Sequence, residues 1–197
     1  MKVDPTRVME NRFVRLEPFT DAHKEELRAA CDADPAVWTD LYPYSMAGEH
    51  FDPQWTRMHA NQAKGVSIHW AVVVGGRCVG ITCYSSYDLP NASLEIGGTY
   101  YHPDYRGGPV NPAAKRLMMG QAFGDGARRV VFRVDAINAR SRAAVLKLGA
   151  QFEGILRQDR VTWTGRVRDT CIFSVLKDEW PAVRDGLDAR LAAFPPP

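Results

Sequence analysis

The chain has 197 residues, of which 45% are hydrophobic and 24% charged, with a formal net charge of +2. That balance belongs to a globular domain and excludes a disordered or fibrous chain; folding at this length buries about 70% of the unfolded surface, so no disulfide or metal staple is needed. The longest apolar runs, such as Trp70 to Val74, fall far short of the roughly 20 residues that span a bilayer, and Met1 to Asn11 has no apolar stretch of signal-peptide type.

We therefore expect one cytoplasmic domain over residues 1–197, with about ten N-terminal residues and the Pro195–Pro197 tail frayed, and no membrane partner. Cys31, Cys78, Cys83 and Cys171 form no C-x-x-C pair and no two histidines stand at i, i+4, so no metal site is expected and the thiols read as reduced and mostly buried. Charge is uneven: residues 101–170 carry 13 Lys and Arg against 6 Asp and Glu, a local +7, leaving −5 elsewhere. One stretch of the chain looks built to face an anion, but the net charge is too small to suggest nucleic acid.

Asn11 to Pro18 reads as a first strand, and Thr20 can cap a helix running through Leu27 to Cys31. Residues 34–64 are broken by Pro35, Pro43, Gly48 and Pro53, which predicts short helices and loops rich in aromatics. Ser67 to Val74, a Gly75-Gly76 turn and Arg77 to Tyr84 form a hairpin with a two-residue loop. After a turn at Asp88 to Asn91, Ser93 to Tyr101 alternates as a third strand, with Leu94 and Ile96 on one face and Glu95 on the other.

The period then changes. A Gly-rich loop at 106–108 leads into a helix from about Pro112 to Gly124, with Ala114, Leu117, Met118 and Ala122 on one stripe. Arg129 to Ala136 is a strand, and Asn138 caps a helix that ends at Gly149. Phe152 to Trp163 and Arg166 to Leu176 form a last hairpin, followed by a helix with Trp180, Val183, Leu187 and Leu191 on one side. The class is mixed α/β, with a central, largely antiparallel sheet of about seven strands flanked by helices. The exposed edge of the last hairpin would suit a homodimer.

A loop that leaves a strand and enters a helix N-terminus is a natural anion site, because orphan N–H groups and the helix dipole both favour negative charge. Arg106 to Asn111 is such a loop, although Arg106-Gly107-Gly108 alone is equally a plain glycine turn. The order of elements, with Leu94-Glu95-Ile96-Gly97, Tyr105 to Lys115 and Asn138-Ala139-Arg140-Ser141 through Gly149, resembles the GNAT superfamily of acyl-CoA-dependent N-acetyltransferases. The similarity is greatest to the branch of the ribosomal-protein-alanine N-acetyltransferases.

That resemblance implies acetyl-CoA as cosubstrate, with its pyrophosphate held by Arg106, Gly107, Gly108, Val110 and Asn111, and further contacts from Tyr100, Tyr101, Asn138 and Arg140. Pro109 departs from the family pattern, having no N–H to offer where a glycine is usual. Many members place a Tyr where this chain has Val145; the ribosomal-protein branch implies Ser141 as acid or thiolate stabiliser. Glu95 is the candidate base, if burial raises its pKa, and is equally readable as a salt-bridged strand residue. Cys78 and Cys83 lack a paired His or Asp, so packing is their expected role rather than acyl transfer.

The implied reaction is direct attack of a primary amine, from a protein N-terminus or a small molecule, on the thioester. The alternative is a catalytically silent protein that binds acyl-CoA on the same fold. Trp38, Tyr44, Trp70 and Tyr84 are candidates to line the acceptor groove, with Tyr42, Trp55, His69 and Trp163 near them. Aromatic walls beside a −5 remainder would suit a cationic amine such as a peptide N-terminus, a polyamine or an aminoglycoside.

Overall fold

In the computed structural model, which describes residues 1 and 3–195, the chain forms one eight-stranded sheet with helices on both faces. The strands are β1 (Met9–Glu10), β2 (Arg15–Pro18), β3 (Ile68–Val74), β4 (Arg77–Asp88), β5 (Ser93–Tyr101), β6 (Arg129–Asp135), β7 (Gln151–Val161) and β8 (Val167–Leu176). Their spatial order is β1-β2-β3-β4-β5-β6-β8-β7, and β5 beside β6 is the one parallel pair among them. The helices are α1 (Lys24–Asp32), α2 (Pro35–Leu41), α3 (Phe51–Ala63), α4 (Val110–Gly124), α5 (Ala139–Leu146) and α6 (Trp180–Ala192).

The eighth strand is the short β1, which lies in the segment expected to fray. Its Met9 pairs with Leu16, the Arg7 carbonyl accepts from Trp70 Nε1 at 2.9 Å, and Met1 and Val3 pack on the core. The other frayed segment, Pro195–Pro197, extends beyond the described residues. Asn11 explains why β2 starts late: its Oδ1 accepts from the amides of Phe13 and Val14, a turn that competes with the strand ladder. Where short pieces were expected over 34–64, Phe51–Ala63 is a 13-residue helix. Pro53 does not break it because it stands in the first turn, where the missing N–H has no intrahelical acceptor to lose.

Strand alternation sorts the core into two layers. Leu94, Ile96, Val130 and Phe132 pack with Ala113, Ala114, Met118 and Ala122 of α4 on one side; Ala71, Val73, Ile81 and Tyr100 pack with α1, α2 and α3 on the other. Among the described residues, no helix is long and apolar enough to cross a membrane. All four cysteines are buried and free.

Two irregularities in the sheet position the site. The β5–β6 pairing runs through Ser93↔Arg129, Leu94↔Val130 and Glu95↔Val131 and then stops, so the two strands part beyond Glu95. The β4–β5 register shifts between Ile81 and Cys83, and Gly98 opposite takes φ +55°, a left-handed turn that glycine adopts at no steric cost. A Cβ at Gly98 would also lie 2.9 Å from Cys83 Sγ.

Gly80 borders the same bulge, and a Cβ there would lie 2.1 Å from the Tyr100 carbonyl oxygen. Gly80→Ala must push β4 from β5, so its urea midpoint should fall by the equivalent of about 1–3 kcal/mol, with an unchanged slope.

Candidate active site

Where β5 and β6 part, they enclose a cavity of about 780 Å³ whose walls include Glu95 to Tyr101 of β5 and Phe132 to Asp135 of β6. The N-terminal turn of α4 and the first turns of α5 close one side, while α3, the start of β3 and Tyr44 close the other.

The loop 106–111 presents unused donors. Gly107 has φ +80°, and none of the amides of Gly107, Gly108, Val110 and Asn111 has an acceptor among the described residues. Pro109 precedes the helix with φ −75°, so its ring fits the turn while removing one N–H. Arg106 is anchored by Nε to the Tyr101 carbonyl at 2.8 Å and by Nη1 to Asp34 at 2.5 Å, which leaves Nη2 buried without a partner. Tyr101 donates to Asn111 Oδ1 at 3.3 Å. These orphan groups fit an anion such as a pyrophosphate.

Tyr100, Tyr101, Arg106, Gly107, Asn111, Asn138, Arg140 and Ser141 all border the cavity, as does Val145; Gly108 and Val110, in the same loop, are not on its wall. Asn138 is the helix cap that its sequence context suggests, its Oδ1 accepting from the Ser141 amide at 2.9 Å. The Ser141 hydroxyl has no partner among the described residues.

Glu95 reaches into the parting of the strands. Its Oε1 lies so close over Gly97 that a Cβ on that residue would stand 2.7 Å away. Its Oε2 accepts from Ser86 Oγ at 3.1 Å and faces Arg133 Nε at 3.4 Å. Burial raises its pKa above the usual carboxylate value, while Arg133, Ser86, Arg160 and Arg168 pull it back.

Three predicted acceptor residues lie elsewhere. Trp38, Trp70 and Tyr84 are core side chains that do not border the cavity, 0–1% exposed. Trp38 Nε1 bonds the Cys31 carbonyl at 3.0 Å, and Tyr84 donates to the Met118 carbonyl. Their polar tips find backbone partners inside, which lets large aromatics be fully buried. Of the four, Tyr44 alone lines the cavity. Cys83 also lines it, but burial pushes its thiol up to about 12 and its Sγ donates to the Gly97 carbonyl at 3.2 Å, so it packs as a neutral thiol. Cys78, likewise raised to about 12, is off the cavity.

Sequence reading missed Lys115, hidden in the apolar stripe of α4. It is 5% exposed, has no carboxylate partner among the described residues, and donates to Thr82 Oγ1 at 3.1 Å and Thr99 Oγ1 at 2.5 Å. Thr82 and Thr99 stand on the two strands of the bulge, 2.8 Å apart through their hydroxyls, so Lys115 ties the bulge to α4. Tyr42 secures it from the other face, donating to the Thr99 carbonyl at 2.5 Å. Charge follows the uneven distribution along the sequence: among the described residues seven Lys and Arg side chains line the cavity against two carboxylates, Glu95 and Asp135, and all of the seven but Arg57 come from residues 101–170.

A profile of the acetyltransferase (GNAT) domain matches residues 14–151. The chain belongs to the GNAT acetyltransferase family. It is similar to a GCN5-related N-acetyltransferase from Brucella melitensis, with 32% identity over 95% of this chain and 86% of that one and a TM-score of 0.87. An acetyltransferase-assigned protein from T. thermophilus shares 33% identity over 97% and 100%, with a TM-score of 0.86. Mycobacterium smegmatis RimJ, solved with CoA-disulfide, shares the fold at 19% identity over 93% and 92%, with a TM-score of 0.77. No protein of curated function matches the chain by sequence.

Burial lowers the Lys115 pKa to about 7. The unfolded chain then binds the extra proton between that value and about 10.4, so Lys115 makes stability rise with pH across this window. The Tm of the natural chain should therefore rise relative to that of Lys115→Met from pH 7 to pH 10; a constant difference would mean that the lysine does not titrate there.

Proposed function

We propose that this chain moves an acetyl group from acetyl-CoA to a primary amine by direct attack. The observation that carries the reading is the row of unpaired amides at Gly107, Gly108, Val110 and Asn111, set at a helix N-terminus beside the parted strands. With the buried Nη2 of Arg106 they would hold the pyrophosphate, and four amides remain despite Pro109. Arg140, Asn138 and the backbone of Tyr100 and Tyr101 line the path from that loop to the bulge.

Acetyl-CoA supplies an activated acyl carbon on a good leaving group. In this reading strand-end amides beside the Gly98 bulge polarise the thioester carbonyl, since a fixed N–H stabilises developing oxyanion charge. Glu95, held over Gly97, takes the amine proton as the C–N bond forms, directly or through one water. Ser141 sits on the first turn of α5, its hydroxyl without a partner among the described residues, and donates a hydrogen bond that stabilises the thiolate as the C–S bond breaks, the thiolate taking its proton from solvent.

A silent coenzyme-binding protein is the second reading, favoured by Val145 on the cavity wall. Thiol release with amines separates the two, because a silent protein binds coenzyme A and releases none.

Glu95→Gln should lower kcat by roughly 100-fold or more while the Kd for coenzyme A stays within a factor of two. Because burial raises the Glu95 pKa, the acid limb of kcat/KM should lie above the ordinary carboxylate range and vanish in this variant. Unchanged turnover would remove Glu95 from the mechanism. Gly108 has open space around it, so Gly108→Asp adds charge without a clash. It should weaken coenzyme A binding roughly tenfold by like-charge repulsion.

A further inference from the structure

The cavity wall opposite the coenzyme loop holds polar atoms that the reaction above does not use. Ser67 and His69 stand two residues apart, so their side chains leave the sheet on the side where Ala71 and Val73 meet α1 to α3. They are 5% and 6% exposed, Ser67 Oγ and His69 Nδ1 have no hydrogen-bond partner among the described residues, and both residues border the cavity. Buried polar atoms without partners are rare in folded proteins, and two on one cavity wall mark a place where a ligand supplies the missing bonds.

Arg57, a solvent-exposed residue of α3 that borders the same cavity, has no carboxylate partner among the described residues. Its guanidinium lies over the Tyr44 ring, 5.5 Å from the centroid, and the Tyr44 hydroxyl would stand 3.5 Å from a Cβ on Gly98. Tyr44 therefore links Arg57 to the bulge where the thioester carbonyl is polarised.

The charge in the cavity has a direction. Both carboxylates are already matched, Glu95 by Arg133 at 3.4 Å and Asp135 by Arg166 at 2.5 Å and Arg168 at 3.7 Å. Assigning Arg106 and Arg140 to the coenzyme still leaves Arg57 without a counter-ion. His69 adds no charge of its own, because burial pushes its pKa to about 4 and the neutral imidazole offers an N–H.

We infer that the acceptor is a small amine that also carries an oxyanion, a carboxylate or a phosphate, held by Ser67, His69 and Arg57 while its amino group faces the bulge. A hydroxyl, an imidazole N–H and a guanidinium together are a donor set for an oxyanion. A polyamine would meet the uncompensated Arg57 and find no free carboxylate. This inference rests on the acyl-transfer reading and adds the substrate class.

The test is thiol release from acetyl-CoA with five amines: β-alanine and glycylglycine for carboxylate, O-phosphoethanolamine for phosphate, spermidine and tyramine for neither. The amines with an oxyanion should give kcat/KM values roughly 100-fold above the other two, the cost of losing a charge-assisted contact set. The better of the carboxylate and phosphate arms identifies the group. Arg57→Ala and Ser67→Ala should each raise KM for that amine roughly tenfold, with the calorimetric Kd for acetyl-CoA unchanged, and Arg57→Glu should shift preference toward spermidine.

Spermidine or tyramine turned over as well as the anionic amines by the natural chain would overturn the inference and leave acyl transfer standing. An unchanged KM in Arg57→Ala would do the same. Coenzyme binding with no thiol release from any amine would overturn acyl transfer itself, and the acceptor class with it.

Discussion

Two adjacent parallel strands that stop pairing set up everything else in this molecule. β5 and β6 are paired only as far as Glu95 and Val131, and past that point no pairing between them continues among the described residues. A gap inside a sheet is costly unless its edges are satisfied, since unpaired N–H and C=O groups in a dry interior are destabilising. This chain offsets part of that cost with the bulge at Thr82, Gly98 and Thr99, where Lys115 and Tyr42 supply side-chain bonds from the two faces.

The same parting organises the electrostatics. Buried charges survive where hydrogen bonds or opposite charges replace water. Glu95 has Ser86 and Arg133, Arg168 has Asp135 and Thr170, and Lys115 has two threonines but no acid. Burial therefore moves Glu95 and Lys115 toward their neutral forms, upward for the acid and downward for the amine. A carboxylate that holds a proton more firmly is a stronger base, so in the proposed reaction the desolvation that weakens the fold would serve the chemistry.

Much of this was legible in the sequence. Alternation in Ser93–Tyr101 put Glu95 on its own face, Gly-rich residues before an apolar stripe marked the α4 loop, and Asn138 followed by Ser141 marked a cap. Those are local signals of period and turn chemistry, and they survive folding. The acceptor side was not legible, because whether Trp70 or Tyr44 faces a cavity depends on which backbone carbonyl its polar tip reaches, a contact 63 residues distant for Trp70. Lys115 was missed because its threonine partners lie 33 and 16 residues away. The local +7 of residues 101–170 was legible, since that stretch supplies every cationic side chain of the cavity wall except Arg57, which comes from the nominally acidic part of the chain.

The central claim is that the amides around Gly107 bind a pyrophosphate despite Pro109. Calorimetric titration of the natural chain with coenzyme A and with pantetheine, which shares the thiol arm but has no phosphates, tests it directly. The account predicts low-micromolar or tighter binding of coenzyme A and at least about a hundredfold weaker binding of pantetheine, a gap of about 2.7 kcal/mol. Equal affinities, or no binding of coenzyme A, would contradict it.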